Sequence, residues 1–321
     1  MQTQGEEKKE VEIQVTPKPI SSIDPKKVGD LSNANFPMDA EGRVYHLGVK
    51  AGEVANRILS VGDSGRAALL ATFFDDPSKT FTRASTRGFV IHTGRRKGVP
   101  MTIIATGMGI PMIDFVVREC RAIVEGPMVI ARFGTCGTPQ TDIPIGSICV
   151  ASKGSICATR KYDAFLESAQ KEGARKALDY YALSTIFPAD ATLSELITAK
   201  LEKSVRPEII HRGLNITGDS FYSSQGRVTT HFEDYNETLL DEVLEIHPDV
   251  ASLEMETFHL RGTITASAAT IVLAQRRSGA FLDHATTRQL ERDGGCAVLD
   301  ALAEYPLLEG ETMSGDCVWN Q

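Results

Sequence analysis

The stretch Arg57-Ile58-Leu59-Ser60-Val61-Gly62-Asp63-Ser64-Gly65-Arg66 decides how the chain is read. Its first five residues predict a short buried strand, Gly62-Asp63-Ser64-Gly65 a tight turn, and residues 64–72 carry the apolar spacing of a helix. The order recurs. Met101-Thr102-Ile103-Ile104-Ala105 runs into Gly107-Met108-Gly109 and a helical stretch at 111–125, and Met128-Val129-Ile130-Ala131-Arg132 runs into a predicted turn, Gly134-Thr135-Cys136-Gly137. Further strand-like runs lie at 147–151 and 270–274. Strand, glycine turn and helix in repetition predict an α/β sheet covered on both faces. Ligands of such sheets lie at the carboxyl ends of strands, so the glycine turns mark the expected site.

Composition narrows the class. The chain has 321 residues, 42% hydrophobic and 24% charged, enough apolar material for a substantial core. Its net charge of −8 offers no overall basic surface for nucleic acid. No apolar run approaches the ~20 residues that cross a bilayer, and the polar start MQTQGEEKKEVEIQ does not read as a secretory signal. Six cysteines, Cys120, Cys136, Cys149, Cys157, Cys296 and Cys317, show no zinc-type spacing and read as reduced thiols of a cytoplasmic protein. Residues 1–43, with four prolines among charges, are expected to form a mobile arm, 44–306 the globular domain, and 307–321 a loose tail in which Trp319 can anchor onto a groove.

The common glycine-loop chemistries fail on spacing. Gly107-Met108-Gly109 lacks the third glycine of a dinucleotide fingerprint, because position 112 is Met112. Gly62-Asp63-Ser64-Gly65 is one residue short of the hydrolase elbow, and no P-loop spacing occurs. What remains is arginines beside glycine turns. Arg66 opens a helix and Arg132 ends an apolar run, and a helix N-terminus with guanidinium forks suits a phosphate dianion. Singly, such turns are tight turns and such arginines solvate a surface; an arginine in a buried strand, however, needs an anion.

Six segments then appear in a familiar order: Tyr45-His46-Leu47-Gly48, Val61-Gly62-Asp63-Ser64-Gly65-Arg66, Ala105-Thr106-Gly107-Met108-Gly109, Arg132-Phe133-Gly134-Thr135-Cys136-Gly137, Phe221-Tyr222-Ser223-Ser224-Gln225-Gly226-Arg227 and Glu254-Met255-Glu256. Across residues 44 to 303 the chain resembles the nucleoside phosphorylases, and among them the uridine-cleaving members. The resemblance implies an α/β fold of three layers, α/β/α, in a single domain with a central mixed, partly barrel-like sheet. It also implies reversible phosphorolysis of uridine to uracil and ribose 1-phosphate in pyrimidine salvage, in a homodimer that shares its sites across the interface.

The residue roles it implies make chemical sense. Gly62, Arg66, Arg132 and Thr135 would hold phosphate, joined by Arg87 from a neighbouring subunit. Met255 and Glu256 would hold ribose, with His46 reaching the 5′ end across the interface. Gln225 and Arg227 would read the imide edge of uracil, Phe221 would stack on it, and Cys136, Gly137, Glu254 and Arg276 would complete the base site. Phosphate is a co-substrate; no cofactor is implied, and no metal is carried over, since Gly88 follows Arg87 where bacterial members often have a glutamate of a potassium site. Purine-cleaving members carry an aspartate after the last core strand, where this chain reads Ala274-Gln275-Arg276-Arg277.

One departure sets a competing expectation. The segment 257–269 is several residues shorter than the resemblance implies, which would remove more than one helical turn behind Glu254, Met255 and Glu256. A shortened variant with impaired nucleoside binding and a regulatory role is the alternative this raises. A nucleosidase using water is a further one, and the phosphate-facing arginines weigh against it.

Overall fold

A computed structural model describes residues 31, 33–166, 176–260 and 264–321. In chain order its strands are β1 (Arg57–Val61), β2 (Phe81–Ala84), β3 (Val90–Arg96), β4 (Val99–Ala105), β5 (Val129–Thr138), β6 (Ile148–Val150), β7 (Ser155–Arg160), β8 (Tyr181–Leu183), β9 (Ile210–Arg212), β10 (Leu214–Gly218), β11 (Val250–Glu254) and β12 (Thr265–Gln275). The helices are α1 (Ser64–Ala71), α2 (Ile110–Ile123), α3 (Ala177–Tyr180), α4 (Ala191–Ser204), α5 (Leu239–Ile246) and α6 (His284–Glu304).

All the strands join one mixed sheet, ordered β2-β3-β4-β1-β5-β11-β10-β7-β8, with β12 pairing both β5 and β6, and β9 pairing β6. β5 is the branch point. It runs parallel to β1 (Ser60 beside Arg132, Val61 beside Phe133) and parallel to β12, and its end meets β11 antiparallel at Gly137–Leu253. A strand with partners on two diverging branches curls the sheet into a partial barrel.

Side-chain alternation separates the layers. Leu59, Ile103, Ala131 and Phe133 face one core with Leu70 of α1, Leu193 and Ile197 of α4, and Val298 and Leu302 of α6. Their neighbours Ile58, Ile104 and Ile130 face the opposite core with Ile113, Val116 and Cys120 of α2. A third core lies under β7, β10 and β11 against α3 and α5. The expected three-layer α/β/α domain is what the chain forms.

One predicted turn is a strand. Gly134-Thr135-Cys136-Gly137 forms the second half of β5, because β12 pairs alongside it from Val129–Thr265 to Thr138–Gln275 and satisfies its backbone. Arg132 therefore sits inside a strand rather than at its end.

The chain ends differ in how they lie. Most of the expected arm, residues 1–30 and 32, lies outside the described residues; within 33–43, Met38 pairs with Val44, and Phe36 and Met38 pack on the α2 core. Residues 307–321, read from sequence as a loose tail, are tied down. Trp319 and Cys317 pack with Ala55, Val318 N–H donates to Gly52 O at 3.0 Å, and Arg95 Nε donates to Trp319 O at 3.0 Å. No helix among the described residues is long and apolar enough to cross a membrane.

Candidate active site

The carboxyl ends of β1, β5 and β11 and the start of α1 open onto one cavity of about 380 Å³. At one end two guanidiniums converge. Asp63 caps α1 by accepting from Arg66 N–H at 2.8 Å, which fixes the first turn and places the Arg66 side chain beside Gly62. A Cβ at Gly62 would lie 3.7 Å from Arg66 Nη1 and 3.8 Å from Arg132 Nη2, so the missing side chain is the space the two cations share.

Arg132 is buried and held from three sides. Its Nη1 donates to Ser60 Oγ at 3.1 Å and Thr106 Oγ1 at 2.9 Å, and its Nη2 to Glu256 Oε2 at 2.7 Å. Its Nε, also buried, has no hydrogen-bond partner among the described residues. An unpaired buried donor on a charged group costs more than the ~1–3 kcal/mol of a neutral one. Gly134 leaves that nitrogen open, since a Cβ there would come within 3.4 Å of it. The geometry asks for an anion.

Glu256 forms the middle of the cavity. Its Oε1 accepts from Gly109 N–H at 2.6 Å, and its Oε2 from Arg132. Gly109 precedes α2 with φ of 96°, a left-handed conformation that glycine adopts without cost and that turns its N–H toward the carboxylate.

Glu254 does something other than the sequence reading gave it. Glu254 lines the cavity, but its carboxylate is committed to the protein, accepting from Thr217 Oγ1 at 2.7 Å, Glu256 N–H at 2.9 Å and Thr257 N–H at 2.9 Å. It braces the turn that carries Met255 and Glu256. Burial, and then the charge of Glu256, push its pKa up to about 7.

The far end is a loop. Phe221, Gln225 and Arg227 all line the cavity, with the Arg227 guanidinium 3.9 Å from the Phe221 ring centre and its Nε bonded to Phe221 O at 3.0 Å. Arg276 does not line the cavity. Its two terminal nitrogens donate to the carbonyls of Gln225 (3.0 Å) and Gly226 (2.9 Å), so it holds the loop from behind. Burial and the neighbouring Arg227 lower its pKa to about 10.

The cavity thus gathers Gly62, Arg66, Arg132, Thr135, Cys136, Gly137, Phe221, Gln225, Arg227, Glu254, Met255 and Glu256. His46 and Arg87 stand apart from it. His46 Nδ1 lies 2.6 Å from Glu119 Oε1 and its ring stacks on Phe115 at 3.8 Å, while Arg87 bonds to Tyr45 Oη. Sequence reasoning placed Gly109 in a glycine turn at the expected site without giving it a role, and missed Glu291, which binds Arg66 from α6 and lies in no motif.

None of the described residues of the segment 257–269 lines the cavity. After Glu256 the chain makes one 3-10 turn, Thr257–His259; residues 261–263 lie outside the described ones, and β12 begins at Thr265. Thr257, Leu260 and residues 264–268 instead border a separate hollow of about 470 Å³, which shares no lining residue with the cavity.

The sequence profile described as the phosphorylase superfamily matches residues 56–261. The chain belongs to that superfamily. A uridine phosphorylase of Thermococcus kodakarensis is 31% identical over 226 residues, spanning 70% of this chain and 73% of that protein. A DeoD-type purine nucleoside phosphorylase of Geobacillus kaustophilus is 36% identical over a shorter 112 residues, 34% of this chain and 45% of that one. Among solved structures, one from a structural and catalytic study of two uridine phosphorylases of the oomycete Phytophthora capsici is 43% identical, with a TM-score of 0.80 over 86% of this chain and all of that one. A Trypanosoma brucei nucleoside phosphorylase, 23% identical with a TM-score of 0.66 over 83% of this chain and 99% of that one, shares the fold. In this member of the superfamily the arginine pair at Gly62 and residues Phe221, Gln225 and Arg227 line one and the same cavity.

Proposed function

We propose that the chain is a uridine phosphorylase, cleaving uridine with phosphate to uracil and ribose 1-phosphate. The observation that carries this is the pair of guanidiniums at Gly62, one with a buried Nε unpaired among the described residues, sharing a cavity with Glu256 and a Gln–Arg loop. Phosphate lies against Arg66, Arg132, Thr135 and the Gly62 N–H. Ribose hydroxyls donate to Glu256 beside Met255, and uracil lies over Phe221 with its imide edge toward Gln225 and Arg227; Cys136 and Gly137 close the wall.

The bond from C1′ to the base nitrogen loosens first, its electron pair passing to the uracil ring. Glu256 stabilises the positive charge growing on the sugar, and Arg227 the negative charge on the base. A phosphate oxygen held below C1′ then forms the new bond, and solvent protonates the departing uracil. Positioning and charge stabilisation supply the catalysis.

The turn at the end of β12 favours uridine over purine nucleosides. The stretch Ala274-Gln275-Arg276-Arg277 offers no acid to protonate a purine nitrogen, and Gln275 commits its side chain to the turn: its Oε1 accepts from Arg277 and Ser278 N–H at 2.6 Å, and its Nε2 donates to Gln140 O at 2.8 Å. His46 and Arg87, outside their own chain's cavity, complete that of a second copy in a homodimer working in the cytoplasm.

The test is uracil release from uridine, followed by absorbance with and without phosphate. Release that requires phosphate and disappears in Arg132→Ala supports the reading. Release at the same rate without phosphate identifies a nucleosidase, and no release from folded protein refutes turnover.

A further inference from the structure

Arg66 is held by a carboxylate that lies outside the cavity. Its Nε (3.0 Å) and Nη2 (2.7 Å) both donate to one oxygen, Oε1 of Glu291, and both side chains are buried. That engages one edge of the guanidinium and leaves Nη1 directed at Gly62. The only other anion within reach of Arg66 among the described residues is Asp63, whose Oδ2 lies 3.4 Å from Nη2 and is largely exposed.

The approach of two helices makes this contact. Gly294 and Gly295 lie three and four residues after Glu291, on its face of α6. A Cβ on Gly295 would meet Leu70 at 2.5 Å, and one on Gly294 would meet Phe133 at 3.0 Å. Leu70 in turn lies four residues after Arg66 on α1. The paired glycines let α6 settle onto α1 and β5, and one turn back the same face brings Glu291 against Arg66.

We propose that Glu291 is a positioning residue for the anion end of the cavity: it braces the Arg66 guanidinium by one edge so that Nη1 stands at the phosphate position beside Gly62. The inference rests on the reading of that end as a phosphate site. A purely electrostatic role has the opposite sign, because a carboxylate behind Arg66 repels a dianion, and its removal would then tighten phosphate binding.

Three variants of the full chain separate these roles, with the affinity for inorganic phosphate measured by calorimetry without nucleoside. Both bonds go to the same oxygen, so the amide oxygen of Glu291→Gln can accept them, and affinity is expected within about threefold of wild type. Glu291→Ala removes the brace and Glu291→Asp withdraws it by one methylene; each is expected to weaken phosphate about tenfold or more. The KM for uridine at saturating phosphate is expected to stay within about twofold in all three. Should the alanine variant fail to fold, the aspartate variant carries the same comparison. Tighter binding in Gln and Ala, unchanged binding in Ala and Asp, or an equal loss toward both substrates overturns the proposal. A wild-type chain that binds no phosphate overturns the functional reading with it, whereas a wild type that binds phosphate no better than Glu291→Ala overturns only the role of Glu291.

Discussion

Replacing Arg132 by methionine keeps an unbranched stem in a buried strand and removes only the guanidinium. Three hydrogen bonds go with it, and Glu256, itself buried, is left with the single Gly109 N–H as partner. Thr106 keeps a bond to Val61 O at 3.0 Å, so the main cost is the unpaired carboxylate. Removing one partner of a buried pair costs about 3–5 kcal/mol. If that account is right, most of the loss belongs to the stranded charge and not to the arginine. The double variant Arg132→Met, Glu256→Gln should then be about 2–3 kcal/mol more stable than Arg132→Met, and subtracting the effect of Glu256→Gln alone gives the coupling energy of the pair. Urea unfolding at fixed protein concentration measures all four proteins, with the fluorescence of Trp319, the single tryptophan, as probe. Repeating it at phosphate about 100-fold above Kd should stabilise wild type by about 2.7 kcal/mol and Arg132→Met hardly at all. A double variant no more stable than Arg132→Met, or a phosphate stabilisation that survives in Arg132→Met, would refute the reasoning.

The same contacts support three more predictions. Gly62→Ala places its Cβ in ordinary contact with both guanidiniums, so Tm should hardly move while the KM for phosphate rises about tenfold or more; an unchanged phosphate KM would remove Gly62 from the anion site. Glu254, pushed up to about 7 from an ordinary carboxylate value, keeps its proton in the folded chain over a range where the unfolded chain has lost it. Stability should therefore fall as pH rises from about 4.5 toward 7 and level off beyond, a slope that Glu254→Gln should flatten; equal slopes in the two proteins would count against it. Trp319→Ala strips the C-terminal segment of its buried anchor beside Ala55 and should cost about 3 kcal/mol in urea unfolding followed by far-ultraviolet circular dichroism, with uridine turnover unchanged at 25 °C.

Local patterns made much of this site legible in the sequence. Runs such as 57–61 and 101–105 announce strands because apolar and β-branched residues dominate both of their faces, and the apolar spacing of 64–72 announces α1. Gly134 to Gly137 misled because glycine is ambiguous: it signals a turn locally, and here it thins a strand so that Arg132 and Arg276 can pass alongside. The commitment of the Glu254 carboxylate and the backing position of Arg276 could not be read, since each depends on which donors or carbonyls a distant segment supplies. Glu291 was invisible for the same reason. It stands 225 residues from Arg66, and only the seating of α6 on α1 brings the two together. The shortening after Glu256 could be read, but not where its consequence falls, because the sequence does not show that Thr257 and residues 264–268 face a different hollow from the one Glu256 lines.

The placement of charge also argues for how the chemistry is divided. The thiols offer no ready nucleophile: burial holds Cys120 well above the ordinary thiol range, and the hydrogen bond Cys149 makes to Cys136, together with burial, does the same for Cys149. Cys136, though it lines the cavity, lies against the Thr270 carbonyl at 3.8 Å with no histidine among the cavity's lining residues to activate it. The arginines at the anion end, by contrast, each already have a carboxylate partner, Glu291 for Arg66 and Glu256 for Arg132. The two pairs are not equivalent. Glu291 faces only Arg66, so its bond can persist when an anion arrives, whereas Glu256 divides its oxygens between Gly109 and Arg132 inside the cavity. In the proposed phosphorolysis the cation assigned to phosphate is thus bonded to the carboxylate assigned to ribose, and the Arg132–Glu256 bond joins the two parts of the cavity.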